Sequence, residues 1–378
     1  MKITHIIPAL TKGGAERVLI DLANEAAAAG HDVTVVLGAP VAPELGQAML
    51  RPDVRIRFIS QSFSKLARYG RLPVWLAGNW RWLREQDVVH CHLTLAAILG
   101  TGIGWLRRLS GSSRPVVVET FHGVGMPIKW RQLALTTALA RGRDGFALMA
   151  QDSHWSRFAE RNPALPIAII PNGVAISGSV PDTAAVAAYR QQIGVPESAR
   201  WIVGTIGRIL PERNPLATVA AFAEAARLLG DDVHFLMGGS GSMLEEVRAA
   251  GDAAGLGARL HLPGLVVEPR FALALMDVYV SMNVGPITGI AGLEAAAAGV
   301  PVIAVQALAD YRRAPGDWIW SDPDPTQVGA EAARLLRDGA DRAATGQRQK
   351  AHVLAHHSAA HMMHAYEDLY ARARAVID

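Results

Sequence analysis

The sequence predicts an α/β protein built from two doubly wound parallel sheets, and three observations carry that prediction. Short runs rich in Val and Ile alternate with longer Ala- and Leu-rich stretches along the 378-residue chain. This alternation occurs twice, interrupted once by a polar, Pro- and Gly-containing segment. Several apolar runs also end directly in glycine-bearing loops. Strand–helix alternation implies parallel strands joined by helical crossovers, with both sheet faces covered. A chain of this length is long enough for two domains, each with its own core. Ligands of such sheets bind outside the carboxyl ends of the strands, so two sheets facing a cleft are expected.

In the first half the strands are KITHIIPAL, HDVTVVLG, VRIRFIS, VVHCH, PVVVETFH, GFALMAQ and IAIIPNGV. The helices between them include AERVLIDLANEAAAAG, whose apolar positions recur at helical spacing and whose end is marked by Gly30. The second half gives WIVGTIGRI, HFLMGGSG, RLHLPGLV, VYVSMN and PVIAVQ, separated by helices such as LATVAAFAEAARLLG. The stretch NGVAISGSVPDT, residues 172–183, marks the domain boundary. The expected organisation is a first domain over 1–175, a second over 176–358, and a terminal helix within 359–378.

Composition narrows the function classes. Half of the residues are hydrophobic and 19% are charged, an ordinary globular balance. No apolar run is long enough to span a bilayer, and no signal peptide is evident. Cys91 is the only cysteine, which excludes an intrachain disulfide framework and fits a reducing cytoplasm. Residues 1–175 carry 20 Lys and Arg against 12 Asp and Glu, and residues 176–378 carry 17 against 22. A basic half joined to an acidic one implies that the first half meets anions. No nucleic-acid-binding motif accompanies that charge, so nucleic acid is not an expected partner. The GxGxxG fingerprint is absent after the first strand, which argues against a dinucleotide dehydrogenase.

Chemistry concentrates in the loops. In GPITGIAGLEAAAAGVPVIA, residues 285–304, a loop of small residues leads to Glu294, read as opening a helix that stops at Gly299. Backbone amides of Thr288, Gly289 and Ile290 suit a phosphate or sugar, and a carboxylate in the first helical turn suits ribose hydroxyls. TKGGAERV, residues 11–18, places Gly13 and Gly14 where a strand passes into a helix. That pair is either a plain tight turn or an approach for a diphosphate or sugar. GRILPERNP, residues 207–215, brings Arg208 and Arg213 to the first loop of the second domain, and MGGSGSM, residues 237–243, adds Gly239. FHGVG, residues 121–125, ends a strand with His122, either a strand-end cap or a partner for a sugar hydroxyl. In HCH, residues 90–92, alternation places His90 and His92 on one face. No further ligand is identifiable, so no metal is expected.

These loops together resemble the retaining GT-B glycosyltransferases of the family 4 type, most specifically over residues 200–305. The resemblance implies two Rossmann-like domains facing a cleft, with the terminal helix crossing back to the first. It implies that Arg208 and Arg213 neutralise a departing diphosphate, with Arg213 standing where lysine is usual. Glu294 would hold the ribose, Leu265 and Val266 of LPGLV would face the base, and His122 would face the sugar. The GG-x-E element at Gly13 and Gly14 belongs to the same pattern. His122, Arg208 and Arg213 are thus the candidate catalytic residues. The donor-binding set is Gly13, Gly14, Arg208, Arg213, Gly239, Leu265, Val266, Thr288, Gly289, Ile290 and Glu294, with no metal. The implied partners are a nucleotide-diphosphate sugar, which is a substrate rather than a cofactor, and a hydroxyl acceptor. The acceptor is expected to be a lipid-linked glycan in surface polysaccharide or lipopolysaccharide assembly.

The chain departs from that family at one point. The family pattern has two glutamates bracketing seven residues, so the first is expected eight positions before Glu294, where position 286 holds Pro286, which has neither carboxylate nor N–H. Backbone donor binding, an unusual donor sugar, or a non-catalytic accessory subunit each accommodates it. A sugar-nucleotide epimerase of the same fold is a further alternative, but no additional acid–base pair is identifiable.

The segment FSKLARYGRLPVWLAGNWRWLREQ, residues 63–86, mixes Lys65, Arg68, Arg71, Arg81 and Arg84 with Trp75, Trp80 and Trp82. WLRRL at 105–109 and KWRQL at 129–133 repeat the mixture. Tryptophan with basic residues suits an anionic membrane surface. Helices burying the tryptophans while the arginines face water are the alternative. The expected location is cytoplasmic, peripheral at the inner membrane face.

Overall fold

The computed structural model describes residues 1–378 except 12, 41–48, 63, 123–129, 151–157, 161, 176–180, 283–288, 306–318, 322 and 378. The chain divides into two compact units, one formed by Met1–Ala175 with Ala359–Asp378 and the other by Ile176–Ser358.

The first unit runs β1 (Lys2–Ile7), α1 (Gly14–Ala28), β2 (Asp32–Leu37), β3 (Arg55–Phe58), α2 (Lys65–Leu83), β4 (Val88–His92), α3 (Leu93–Leu109), β5 (Val116–Phe121), α4 (Trp130–Ala140), β6 (Gly145–Leu148) and β7 (Ile167–Ile169). Its strands form one sheet in the order β3-β2-β1-β4-β5-β6-β7, every pair parallel. Central strands β1, β4 and β5 are buried almost end to end. That explains why they show no alternation of apolar and exposed polar residues, since a covered parallel sheet has no solvent face, and why the polar residues they do contain, such as His5, His90, His92 and Glu119, are buried. Strand order reverses direction between β1 and β4, so their carboxyl ends flank the crevice where ligands of doubly wound sheets bind.

Two ion pairs are buried beneath this sheet. Arg143 Nε donates to Glu119 at 2.8 Å, and Arg107 donates to Asp144 at 2.7 Å. Asp144 also accepts from the Val117 amide at 2.8 Å, whereas Arg107 Nε and Nη1 are buried without a hydrogen-bond partner among the described residues.

The second unit runs α5 (Thr183–Gln192), β8 (Trp201–Ile206), α6 (Pro215–Leu229), β9 (Val233–Gly238), α7 (Leu244–Ala253), β10 (Leu260–His261), α8 (Pro269–Leu275), β11 (Val278–Ser281), α9 (Ile290–Ala297), β12 (Val302–Val305), β13 (Ile319–Ser321), α10 (Pro325–Arg337) and α11 (Gly339–His356). Its sheet is ordered β10-β9-β8-β11-β12-β13 and is again parallel throughout. The switch point lies between β8 and β11. Phe222 stacks on Phe235 at 4.8 Å in a core shared by α6, α10 and the sheet.

The last helix, α12 (Ala359–Ala375), belongs to the first unit. Tyr366 and Tyr370 are fully buried there. The Tyr370 hydroxyl lies 2.8 Å from His90 Nδ1, and Tyr366 Oη lies 2.7 Å from Thr120 Oγ1. Arg374 donates to the carbonyls of Asp87 and Ser113, and the Ala359 amide donates to Val174 O at 2.9 Å.

Candidate active site

In the second unit, β9, β8 and β11 are adjacent and parallel, so their carboxyl ends lie side by side at one end of the sheet. The loop after β8 carries Arg208 and Arg213. A short 3-10 turn over Pro211–Arg213 leads into Asn214, which adopts the left-handed conformation at φ 47° and precedes Pro215, the first residue of α6. Asn214 tolerates this backbone better than most residues. Its side-chain Nδ2 donates to Met282 O at 3.1 Å, which ties the arginine loop to the end of β11. Tyr279, on β11, donates its hydroxyl to Ile206 O at 2.9 Å and accepts from Ile206 N at 3.2 Å. No local signal along the chain marks this brace, because Tyr279 reads as one more apolar strand residue.

The glycine loop after β9 supports the arginine loop from the other side. Gly239 has φ 148°, and a Cβ there would lie 1.8 Å from Gly207 O; one on Gly241 would lie 2.0 Å from Ile209 O. Backbone bonds join the loops: Gly207 N to Gly238 O at 2.9 Å and Ile209 N to Ser240 O at 3.0 Å. The Gly239 amide donates to Gly264 O at 2.7 Å. Its N–H is therefore committed within the protein, and its lack of a side chain serves loop-to-loop approach. Beyond Gly264, Val266 turns inward over Gly238, while Leu265 is exposed.

Arg208 is exposed and lies 3.7 Å from Glu212. Arg213 is part-buried, and its Nε has no hydrogen-bond partner among the described residues. Burial lowers the Arg213 pKa, and repulsion from Arg208 lowers it further. Glu212 offsets part of this cost, but two arginines share that one carboxylate, so the loop keeps an excess of positive charge that a further anion would relieve. Tyr279 senses both Arg213 and Glu294 electrostatically, which places the two in one neighbourhood.

One expectation is corrected here. Glu294 does not open its helix: α9 begins at Ile290 with Gly289 as extended N-cap, which makes Glu294 its fifth residue. Nothing between Gly289 and Glu294 breaks a helix, and burying Gly292 and Leu293 extends it toward the loop. The amides at the anion-favouring end belong to Ile290 and Ala291. Gly289 and Ile290 stand at that end. Thr288 and Pro286 lie outside the described residues.

In the first unit, Gly13 is the N-cap of α1 and Gly14 its first residue. Glu16 reaches back beside Gly13, where a Cβ would lie 2.2 Å from its Oε2, and it accepts from Thr11 Oγ1 at 2.6 Å. A carboxylate thus sits at this helix start, an arrangement that favours sugar hydroxyls over phosphate.

The histidines form a group that sequence reasoning only half found. HCH supplied His90 and His92; the fold adds His5 from β1 and His122 beyond β5. His5 Nδ1 lies 3.3 Å from His92 Nε2, and His92 Nδ1 lies 3.0 Å from His122 Nε2. Burial pushes the His5 pKa down to about 3 and that of His122 to about 4. Burial and the neighbouring rings hold His90 and His92 well below the usual range. Ring nitrogens of His5, His90 and His92 lie within 4.8 Å of one another, a spacing that admits a metal. The donor set does not fit one. Both nitrogens of His90 are engaged by Tyr370 and Thr120, and both of His92 by histidines. Only His5 Nε2 is left without a partner among the described residues, where a zinc site takes three or four protein ligands.

For the tryptophans of 63–86 the structure takes the burial alternative. That stretch forms one helix over Lys65–Leu83, and Trp75, Trp80 and Trp82 pack against the apolar core beneath it. Trp75 Nε1 donates to Phe58 O at 3.1 Å, and Arg57 lies 4.2 Å over the Trp82 ring. Among the described residues the exposed aromatics are Tyr69 on α2, Trp105 on α3 and Trp130 on α4, the two tryptophans at 50% and 73% exposure, with Leu66 and Val74 of α2, Leu109 of α3 and Leu135 of α4 also exposed. Among the described residues, no helix is long and apolar enough to cross a membrane.

Comparison with known proteins assigns the class. Residues 12–177 match the family model "Glycosyltransferase Family 4", and residues 200–338 match "Glycosyl transferases group 1". The chain belongs to the GT-B glycosyltransferases of this family 4, group 1 type. Among relatives, it is 31% identical over 238 residues to the GDP-mannose-dependent alpha-(1-6)-phosphatidylinositol monomannoside mannosyltransferase of Mycobacterium tuberculosis, a match covering 59% of this chain and 60% of that one. A 2-deoxystreptamine glucosyltransferase of Streptomyces kanamyceticus is 29% identical over 140 residues, 36% of each chain. The match thus spans about three fifths of the mycobacterial relative's length. Among solved structures, Anabaena HepE in complex with UDP and glucose superposes with a TM-score of 0.77 at 20% identity, covering 97% of this chain and 98% of that one. Sucrose-phosphate synthase from Thermosynechococcus elongatus gives 0.72 at 19% identity, covering 98% and 99%. At these identities the likeness is one of fold.

Proposed function

We propose that this protein transfers a sugar from a nucleotide-diphosphate donor, with UDP favoured, to a hydroxyl of a lipid-linked glycan, with retention and without a metal ion. The observation that carries the reading is Arg213, a part-buried cation beside Arg208 at the switch point of the second sheet, with no partner for its Nε among the described residues. Two arginines there supply the charge that a departing diphosphate needs, which is electrostatic stabilisation of the leaving group. The α9 amides add a partial positive charge, and Glu294 accepts from the ribose. Leu265 and Val266 face the base. His122 and the Gly13–Gly14 turn contact the sugar, the latter helped by the Glu16 carboxylate. In a retaining transfer the departing phosphate can take the acceptor proton, which accommodates Pro286. The relative's printed donor, GDP-mannose, makes GDP the competing nucleotide.

The lipid-linked acceptor and the inner membrane face are supported by α2, α3 and α4. Their exposed Trp105, Trp130, Leu66, Val74 and Leu109 are interspersed with exposed Lys65, Arg71, Arg81, Arg108 and Arg131. Basic residues near anionic lipid contribute roughly 1 kcal/mol each.

Calorimetric titration of UDP and GDP into the wild type, Arg213→Ala and Glu294→Ala tests the reading. One nucleotide is expected to bind, with affinity lowered about 10- to 100-fold in Arg213→Ala, as for a lost charged hydrogen bond. Absence of binding of either nucleotide to the folded wild type would sink it. Pro286 would then favour a second reading, a GT-B accessory subunit that supports a partner transferase.

A further inference from the structure

The three linked histidines have a direction, and burial sets it. His92 is fully buried and has both ring nitrogens occupied by imidazoles: Nε2 by His5 Nδ1 and Nδ1 by His122 Nε2. A neutral imidazole has one donor and one acceptor. The chain therefore runs one of two ways. Either each ring donates from Nδ1, from His5 to His92 to His122, or each donates from Nε2 in the reverse sense. The ends decide between them. His5 Nε2 is buried with no partner among the described residues. In the first arrangement this atom is a lone pair; in the second it is an N–H. A buried N–H without an acceptor is the rarer and costlier defect.

The surroundings hold His92 in place. It is the last residue of β4, and Leu93 follows at φ 67°, a left-handed conformation that a leucine adopts at a cost. That turn passes the chain directly from β4 into α3. The His90 ring packs on His92 with centroids 4.2 Å apart, and His90 is itself fixed by Thr120 and Tyr370.

We propose that His92, supported by His5, is a positioning residue that fixes His122 as its Nδ1–H tautomer, leaving Nδ1–H as the donor to a hydroxyl of the transferred sugar. The hydrogen bond to one ring nitrogen decides which proton the other carries. The sugar part rests on the transferase reading; the tautomer does not. All of these rings stay neutral at physiological pH, so the chain sets orientation and moves no proton.

Long-range proton–nitrogen NMR spectra of histidine-labelled protein at neutral pH test this without any donor, with His122→Gln identifying the His122 signals. The expected result is a protonated Nδ1 and a pyridine-like Nε2 on His122. Finding Nε2–H on wild-type His122 overturns the proposal, even if no variant folds. His92→Phe removes the donor and should shift His122 toward Nε2–H. His92→Asn places an amide N–H near the position of Nδ1 and should restore the wild-type tautomer. With the donor sugar identified, His92→Phe should lower kcat about 10- to 100-fold, the range seen when the outer partner of a working histidine is lost. Nucleotide affinity should be unchanged, and His92→Asn should recover most of the turnover. An Asn variant as slow as the Phe variant overturns the positioning role. A wild type with the expected tautomer but no transferase activity refutes only the transferase reading.

Discussion

Acid should weaken the first unit through its buried histidines, and His5 shows by how much. An unfolded histidine titrates near 6.5, whereas burial lowers His5 to about 3. Above pH 6.5 neither state takes up the proton, and stability is independent of this group. Below 6.5 the unfolded chain binds a proton that the folded chain refuses until about pH 3, so stability falls as pH drops across that window. Between pH 7 and pH 5 the loss is about 2 kcal/mol for His5 alone, rising to about 4 kcal/mol by pH 3. His122, lowered to about 4, loses nearly the same between pH 7 and 5, and His90 and His92 act in the same direction. Against a total of roughly 5–15 kcal/mol for a domain, that is a large share. The buried acids Asp21, Glu119 and Asp144 oppose it, because their raised pKa values favour the folded state in acid. These acids, and the other histidines, are common to the wild type and His5→Asn, so they drop out of the difference between the two proteins. Urea unfolding of the wild type and His5→Asn at pH 7 and pH 5 should show the wild type losing about 2 kcal/mol more than the variant. Equal losses in the two proteins would refute the reasoning.

Two other predictions concern the loops and the exposed aromatics. Gly239→Ala forces a Cβ toward Gly207 O at φ 148°. It should cost about 1–3 kcal/mol of second-unit stability and displace the Arg208–Arg213 loop, so that nucleotide affinity in calorimetry falls at least as far as in Arg213→Ala. An alanine variant with wild-type affinity would show that the two loops are not coupled. Replacing Trp105 and Trp130 by Ser should reduce flotation with phosphatidylglycerol vesicles at low salt about 10-fold or more. Equal flotation of wild type and variant, or none for the wild type, would remove the membrane reading.

Much of this fold is legible along the chain because parallel α/β sheets write themselves locally. Covered strands are largely apolar, as in WIVGTI, and their crossover helices show a 3.6-residue period. The loops at the strand ends are legible for the same reason: glycine, proline and arginine at fixed offsets from a strand, as in GRILPERNP, report local backbone demands. What remained ambiguous depended on burial. Trp75, Trp80 and Trp82 have the composition of a membrane edge, but α2 turns them onto its own core. Glu294 reads as the start of a helix because Ile-Ala-Gly-Leu carries no cap signal; packing of Leu293 extends α9 back to Ile290.

By itself the sequence determined the α/β class, the two repeats of strand and helix, and the loop chemistry that marks a family 4 type glycosyltransferase. Only the tertiary structure decided which distant groups meet. His5, His92 and His122 lie on three strands or their ends, up to 117 positions apart, and nothing local relates them. They become neighbours because β1, β4 and β5 are adjacent in a parallel sheet, where strand order rather than chain order sets distance. Tyr279 braces Ile206 for the same reason, since β11 lies beside β8.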